Sequence, residues 1–185
     1  MVLVLQWIYI KKRHMDLSKY IRDIPDFPIE GIIFKDITPL LSNTDAFQET
    51  INRIIDNYNF DEIDVVASVE SRGFLLAAPI ADRMKKPLVL FRKSGKLPYK
   101  TKSASYDLEY GSSTIEIHED AIKANDRILL IDDLIATGGT LGACLDLVNQ
   151  FNAKVNGIAV IIELSFLNGR DLLKNVDIFS IIKYD

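Results

Sequence analysis

The chain has 185 residues, enough for one domain with a substantial core. At 48% hydrophobic and 26% charged, with a formal net charge of -4, it reads as a globular protein of ordinary composition and lacks the basic character of a general nucleic-acid binder. Its one cysteine, Cys144, excludes an intramolecular disulfide and suits a reducing, cytoplasmic compartment.

The start, MVLVLQWIYI, is apolar, and KKRH follows it. Charge after the apolar run is the reverse of a secretory signal, and the run is too short to span a bilayer. Residues 1–14, with Trp7 and His14, are expected to be an extension outside the core. An added edge strand or a membrane-touching segment is the other reading. The remainder, 15–185, is expected to be a single domain.

From Asp16, the residues Leu17, Tyr20, Ile21 and Ile24 recur at helical spacing and predict a first helix. IPDFPIEGIIF then breaks it with two prolines and a glycine. Thr44 is a candidate N-cap for a helix whose apolar face carries Phe47, Ile51, Ile54, Ile55 and Tyr58.

The centre alternates between strand and helix. IDVVASV is a short β-rich run, and GFLLAAPIADRMKK reads as helix with Pro79 at a kink or boundary. PLVLFRK is a strand, and STIEIH alternates as a half-exposed strand does, with His118 turned outward. RILLID is continuously apolar until its acid, as in a strand buried on both faces. TLGACLDLVNQFNA is an amphipathic helix with Leu141, Cys144, Leu145 and Val148 inward, and VNGIAVIIEL is another buried strand. This rhythm predicts right-handed βαβ units and an α/β fold with a mainly parallel sheet. The polar stretch from Ser94 to Ser112, SGKLPYKTKSASYDLEYGS, resists assignment and reads as a long functional or disordered loop.

Chemistry concentrates in ILLIDDLIATGGT. Ala136, Thr137, Gly138, Gly139 and Thr140 would form the turn from a buried strand into a helix. Small residues let the backbone approach a ligand closely, and the helix N-terminus offers it free N–H groups. That suits a phosphate monoester. The stretch contains neither G-x-x-x-x-G-K-[ST] nor G-x-G-x-x-G. Asp132 and Asp133 would repel a phosphate but accept hydrogen bonds from paired sugar hydroxyls. A ribose 5-phosphate satisfies both halves. On these residues alone, a solvated turn whose acids cap the next helix serves equally well.

IDDLIATGGT resembles the phosphoribosyl pyrophosphate (PRPP) signature of the type I phosphoribosyltransferase family. ESRGFLLAAPIA, FRKSGKLP and YDLEYGSSTIEIHEDAI resemble, in order, motifs of its adenine-using members. IPDFPIEGIIFKDITPLL and GRDLLKNVDIFSIIKYD do the same, so the resemblance runs from Met15 to Asp185. It implies a twisted, mainly parallel sheet flanked by helices, a Rossmann-like core, with a small hood and a flexible catalytic loop. It implies transfer of ribose 5-phosphate from PRPP to N9 of adenine, giving AMP and pyrophosphate, with Mg2+ carried by the pyrophosphate and no direct protein metal site. The partners it implies are adenine and PRPP, with no nucleic acid and no membrane. Family members are commonly homodimers.

The same resemblance assigns roles. Ala136 to Thr140 would bind the 5-phosphate, and Asp132 and Asp133 the ribose hydroxyls, directly or through water and metal. Ser71, Arg72, Arg92 and Lys96 would hold pyrophosphate, and a non-proline cis peptide is expected at Glu70–Ser71 or Ser71–Arg72. Glu109 is the catalytic candidate, meeting N7 of the purine from the mobile loop. Ile33, Phe34 and Lys35 would cover adenine, with Leu164 on its other face. Two other readings stand beside this one: a phosphoribosyltransferase for another base, and a non-catalytic module that senses PRPP. The absence of a basic helix argues against the latter as a DNA-bound regulator.

Overall fold

The computed structural model describes residues 14–107 and 112–185. They fall into two compact units, divided between Glu49 and Thr50. The reading of 1–14 as an extension falls outside the described residues except at His14, whose Nδ1 lies 3.0 Å from Glu49 Oε1.

In the first unit the predicted helix from Asp16 is replaced by a short 3-10 turn, Leu17–Tyr20, and a strand, β1 (Arg22–Pro25). β1 pairs antiparallel with β2 (Ile33–Asp36), with Arg22 opposite Asp36 and Ile24 opposite Phe34. The reason is Asp36. Its carboxylate accepts from Arg22 Nη2 at 2.6 Å and from the Thr38 backbone N–H at 2.8 Å, which pins Arg22 in an extended ladder. The Thr38 N–H, with help from Arg22, holds the Asp36 carboxyl below the usual range. The connecting turn uses Asp26 and Gly31 at positive φ and a cis Phe27–Pro28 bond. A short helix, α1 (Thr38–Ser42), follows.

Helix α2 (Thr44–Asp56) carries the expected face, with Ile51, Ile54 and Ile55 buried and Phe47 partly so. Its cap is Asn43 rather than Thr44: Asn43 Oδ1 accepts from the Ala46 N–H at 2.9 Å, satisfying a donor that the first turn leaves unpaired.

The second unit is built on a sheet of seven strands. They are β3 (Val65–Val69), β4 (Leu88–Lys93), β5 (Thr101–Asp107), β6 (Ser112–His118), β7 (Arg127–Ile135), β8 (Lys154–Leu164) and β9 (Ile178–Tyr184). Their spatial order is β5-β6-β4-β3-β7-β8-β9. The run from β4 to β9 is parallel, and β6 and β5 are antiparallel additions. The mainly parallel α/β sheet expected from the sequence is therefore present. One expectation fails: Thr101–Asp107 of the supposed 94–112 loop is strand β5, an edge strand paired along its whole length with β6. Strand β9, assigned no element from the sequence, also completes the sheet.

Helix α3 (Arg72–Met84) links β3 to β4 and contains Pro79; helix α4 (Gly139–Asn149) links β7 to β8. These crossovers step outward in opposite directions from the central β3–β7 pair, so right-handed connections put the helices on opposite faces. Alternation agrees. Val65, Ala67, Ile128 and Leu130 share a cluster with Leu141, Cys144, Leu147 and Val148 of α4. Ser68, the next residue after Ala67, faces Gly73 of α3 instead. On α4, Leu145 is only partly buried and Leu147 takes the inward position expected of it. Cys144 is free and buried, as expected of a structural thiol. His118 turns away from the core as predicted, yet the Tyr99 ring packs on it and its Nε2 is buried.

Candidate active site

The central pair β3 and β7 is where the crossover direction reverses. In open parallel sheets such a point opens a crevice at the carboxyl ends of the strands. Most of the residues singled out in the sequence gather along this edge. Ser71 and Arg72 follow β3, Arg92 closes β4 and Lys96 follows it, Asp132 to Thr140 span the end of β7, and Leu164 ends β8.

The turn after β7 has the expected geometry. Gly138 caps α4 at φ 84 and accepts the Gly142 N–H at 2.8 Å. The first N–H groups of α4 have no acceptor inside the helix and face outward from its N-terminus. Thr140 Oγ1 donates to Tyr106 Oη at 3.2 Å, tying this helix to strand β5. A groove of about 420 Å³ opens beside the turn, lined by Tyr106, Gly139, Gly142, Asp146 and Leu172 among others.

The two acids are not an equivalent pair, because successive strand residues point to opposite faces. Asp133 is 5% exposed and turns to Arg72, whose Nε lies 2.9 Å from its Oδ2. Asp132 Oδ1 accepts the Asp133 N–H at 2.8 Å. A Cβ on Gly73 would come within 3.0 Å of that oxygen, so a glycine there lets α3 start close to the acid. Burial, and then the charge of Asp133, push the Asp132 carboxyl well above its ordinary range. Burial raises Asp133 too, against the pull of Arg72.

The loop between β3 and α3 holds a non-proline cis peptide at Glu70–Ser71, one of the two bonds expected. Glu70 anchors it. Its carboxylate accepts from Arg92 Nε at 3.2 Å, from Arg92 Nη2 at 3.1 Å, and from the Lys93 N–H at 3.2 Å. Arg92 holds the Glu70 carboxyl below its ordinary range. Arg92 Nη1 also donates to the Lys96 carbonyl at 3.0 Å, while the Lys96 side chain is exposed.

Three assignments stand apart. Glu109 lies outside the described residues. Ile33, Phe34 and Lys35 belong to the first unit, on β2: Ile33 is 57% exposed, Phe34 meets Phe27 edge-on at 5.2 Å, and Lys35 pairs with Asp23 at 2.8 Å. Among the described residues, no three His, Cys, Asp or Glu side chains converge on a metal position. None of their helices is long and apolar enough to cross a membrane. The sequence reading missed Glu70, Glu163 and Arg170. Glu163 and Arg170 had a signal, an acid ending an apolar strand and a basic residue after glycine, but nothing in the spacing joins them.

The described geometry is that of relatives already known. A family model, the phosphoribosyl transferase domain, matches residues 41–183. The adenine phosphoribosyltransferase of Halothermothrix orenii is 47% identical over 169 residues, 91% of this chain and 99% of the relative. The solved adenine phosphoribosyltransferase of Thermoanaerobacter pseudethanolicus superposes with a TM-score of 0.88 at 45% identity, covering 91% of this chain and 98% of that one. The Saccharomyces cerevisiae enzyme, solved with an imino-altritol bisphosphate and adenine, gives a TM-score of 0.82 at 36% identity over 90% and 96% of the two chains. A relationship of this closeness, across nearly the whole of each chain, makes this chain a member of the adenine phosphoribosyltransferase family.

Proposed function

We propose that this protein transfers ribose 5-phosphate from PRPP to N9 of adenine, releasing pyrophosphate and forming AMP. The observation that carries the reading is the turn Ala136–Thr140, opening a helix at the switch point of the sheet with Asp132, Asp133 and Arg72 beside it. Relatives named for this activity support it along 91% of the chain.

The residues divide the work. The backbone of Ala136 to Thr140 and the threonine hydroxyls hold the 5-phosphate at the positive end of α4. Asp132 accepts from a ribose hydroxyl directly; Asp133, locked by Arg72, acts through water or metal. Ser71, Arg72, Arg92 and Lys96 take the pyrophosphate, whose charge spreads in the transition state and is best met by guanidinium and ammonium groups. The family resemblance assigns Ile33, Phe34 and Lys35 to adenine, Phe34 by stacking, and separately assigns Leu164 to the base. Backbone groups read the N1 acceptor and the N6 donor.

In the reaction N9 attacks C1′ of the ribose, the C1′–O bond to pyrophosphate breaks, and the electron pair leaves with pyrophosphate. Glu109 handles the proton at N7, which makes N9 the better nucleophile. On the family resemblance, the connection that carries Glu109 covers the site during the reaction and keeps water from the activated sugar. The family resemblance implies Mg2+ carried by PRPP, which would meet the chain beside Asp132 and Asp133. Bound there, it would supply charge neutralisation to the leaving pyrophosphate. A homodimer in a reducing, cytoplasmic compartment is proposed on the family resemblance and the single free thiol.

The test is pyrophosphate release from PRPP and Mg2+ with adenine, hypoxanthine, xanthine or no base. Adenine-dependent release is expected. Release with hypoxanthine or xanthine faster than with adenine overturns the base assignment, and no release with any base overturns catalysis.

A further inference from the structure

The segment between β8 and β9 touches the phosphate turn through bare backbone. A Cβ on Gly169 would lie 2.1 Å from the Ala136 carbonyl oxygen, and one on Gly138 would lie 2.4 Å from the Gly169 carbonyl oxygen. Neither glycine can take a side chain while both backbones stay where they are. The turn therefore has a wall, and that wall is Gly169.

Arg170 fixes the wall. Its Nε donates to Glu163 Oε1 at 2.6 Å and its Nη2 to Glu163 Oε2 at 2.7 Å. The same Nη2 reaches Ser180 Oγ at 3.0 Å and the Ile178 carbonyl at 3.2 Å. Ser180 Oγ donates to Glu163 as well. Glu163 is 5% exposed and lies on β8 opposite Ile135, the last residue of β7 before the turn. One guanidinium thus ties the 165–172 segment to the ends of two strands, next to the strand that delivers the turn.

We propose that Gly169 and the Glu163–Arg170 pair are positioning residues that set the shape of the Ala136–Thr140 turn and thereby the affinity for PRPP. The proposal rests on that turn being the phosphate socket. Its main-chain donors are N–H groups, which cannot swing toward a ligand as the threonine hydroxyls can. A shift of the wall by an ångström moves every donor at once, and misplacement of that size can cost about 100-fold.

The full-length chain is compared with Gly169→Ala, Arg170→Met, Arg170→Lys and Glu163→Gln. Melting temperature, the KM for each substrate, kcat and calorimetric binding of ribose 5-phosphate are measured. Gly169→Ala and Arg170→Met are expected to raise the KM for PRPP about tenfold or more, with the KM for adenine within about twofold. Arg170→Lys is expected to restore part of the affinity lost in Arg170→Met, because an ammonium still reaches one oxygen of Glu163. If Gly169→Ala does not fold, Glu163→Gln carries the test, with the same selective rise of smaller size. Variants that melt earlier yet keep the parent's KM for PRPP, or shift both KM values equally, overturn the proposal. A parent chain that fails to bind ribose 5-phosphate overturns the socket reading itself; a parent and variants that bind it equally overturn only the positioning role.

Discussion

Arg72 at the start of α3 and Asp133 near the end of β7 meet at 2.9 Å, a cation proposed for pyrophosphate paired with an acid proposed for ribose. Arg72 pulls on Asp132 only weakly beside these influences: burial and then the charge of Asp133 push the Asp132 carboxyl well up. A carboxyl whose folded value lies above its unfolded value of about 3.9 destabilises the fold progressively above that pH, and in full beyond the folded value. Asp132→Asn removes this penalty while its amide oxygen can still accept the Asp133 N–H. The variant is expected to melt about 2–4 °C higher at neutral pH for each kcal/mol regained. The gain should vanish below about pH 4, where the acid is protonated in both states. Affinity for PRPP should fall at least about tenfold, since a charge-assisted acceptor becomes a neutral one. Thermal melts across pH and calorimetry with PRPP check both parts; equal stability at neutral pH refutes the penalty.

Glu70 runs the opposite way. Arg92 holds its carboxyl low, so the pair contributes stability above the unfolded value of about 4.3, and that contribution is lost as pH falls through the folded value. Both partners are partly exposed, so solvent screens them. Glu70→Gln is expected to lose about 1 kcal/mol at neutral pH and nothing in strong acid. It also frees Arg92, and the KM for PRPP should change while the KM for adenine holds. Urea melts at two pH values and steady-state kinetics measure these effects.

The central parallel strands β3, β7 and β8 were legible because burial on both faces leaves no polar alternation. Ile128 to Ile131 are all fully buried, and the sequence shows them as an unbroken apolar run. Strand β5 was not legible for the converse reason. TKSASYD offers only Ala104 and Tyr106 as an inward face, too little to signal a strand, and its pairing with β6 makes it one. At the front, Leu17, Tyr20, Ile21 and Ile24 fit a helix, but the long-range hold of Asp36 on Arg22 outweighed the local period. Site residues followed the same division. The Ala136–Thr140 turn is written in adjacent small residues and could be read locally. Glu70 with Arg92, Arg72 with Asp133, and Glu163 with Arg170 join residues from different elements. Each looks like an ordinary surface charge until the sheet brings the strand ends together.

Glu109 lies outside the described residues, so its proposed role rests on sequence resemblance. If it manages the proton at N7, Glu109→Gln keeps the shape of the side chain and removes only its proton chemistry. The variant is expected to lose about 100- to 10,000-fold in kcat. Binding of PRPP, which does not involve this group, should stay within about twofold. Rapid-quench turnover and calorimetry separate the two. Unchanged kcat removes Glu109 from the mechanism.

The glycines of the turn give a paired test in which the same substitution acts in opposite directions four residues apart. Gly138 has φ 84, and an added Cβ would meet the Gly169 carbonyl oxygen at 2.4 Å. Gly138→Ala is strained by conformation and by contact together, and is expected to destabilise by about 1–3 kcal/mol and to abolish measurable PRPP binding. Gly142 lies inside α4, and an added Cβ would meet nothing within 4 Å. There alanine only restricts the unfolded chain and favours the helix, so Gly142→Ala is expected to stabilise by about 0.5–1 kcal/mol. Chemical denaturation of the two variants beside the parent measures both signs. If Gly138→Ala matched the parent in stability and in PRPP affinity, the turn would not be held against Gly169 as described.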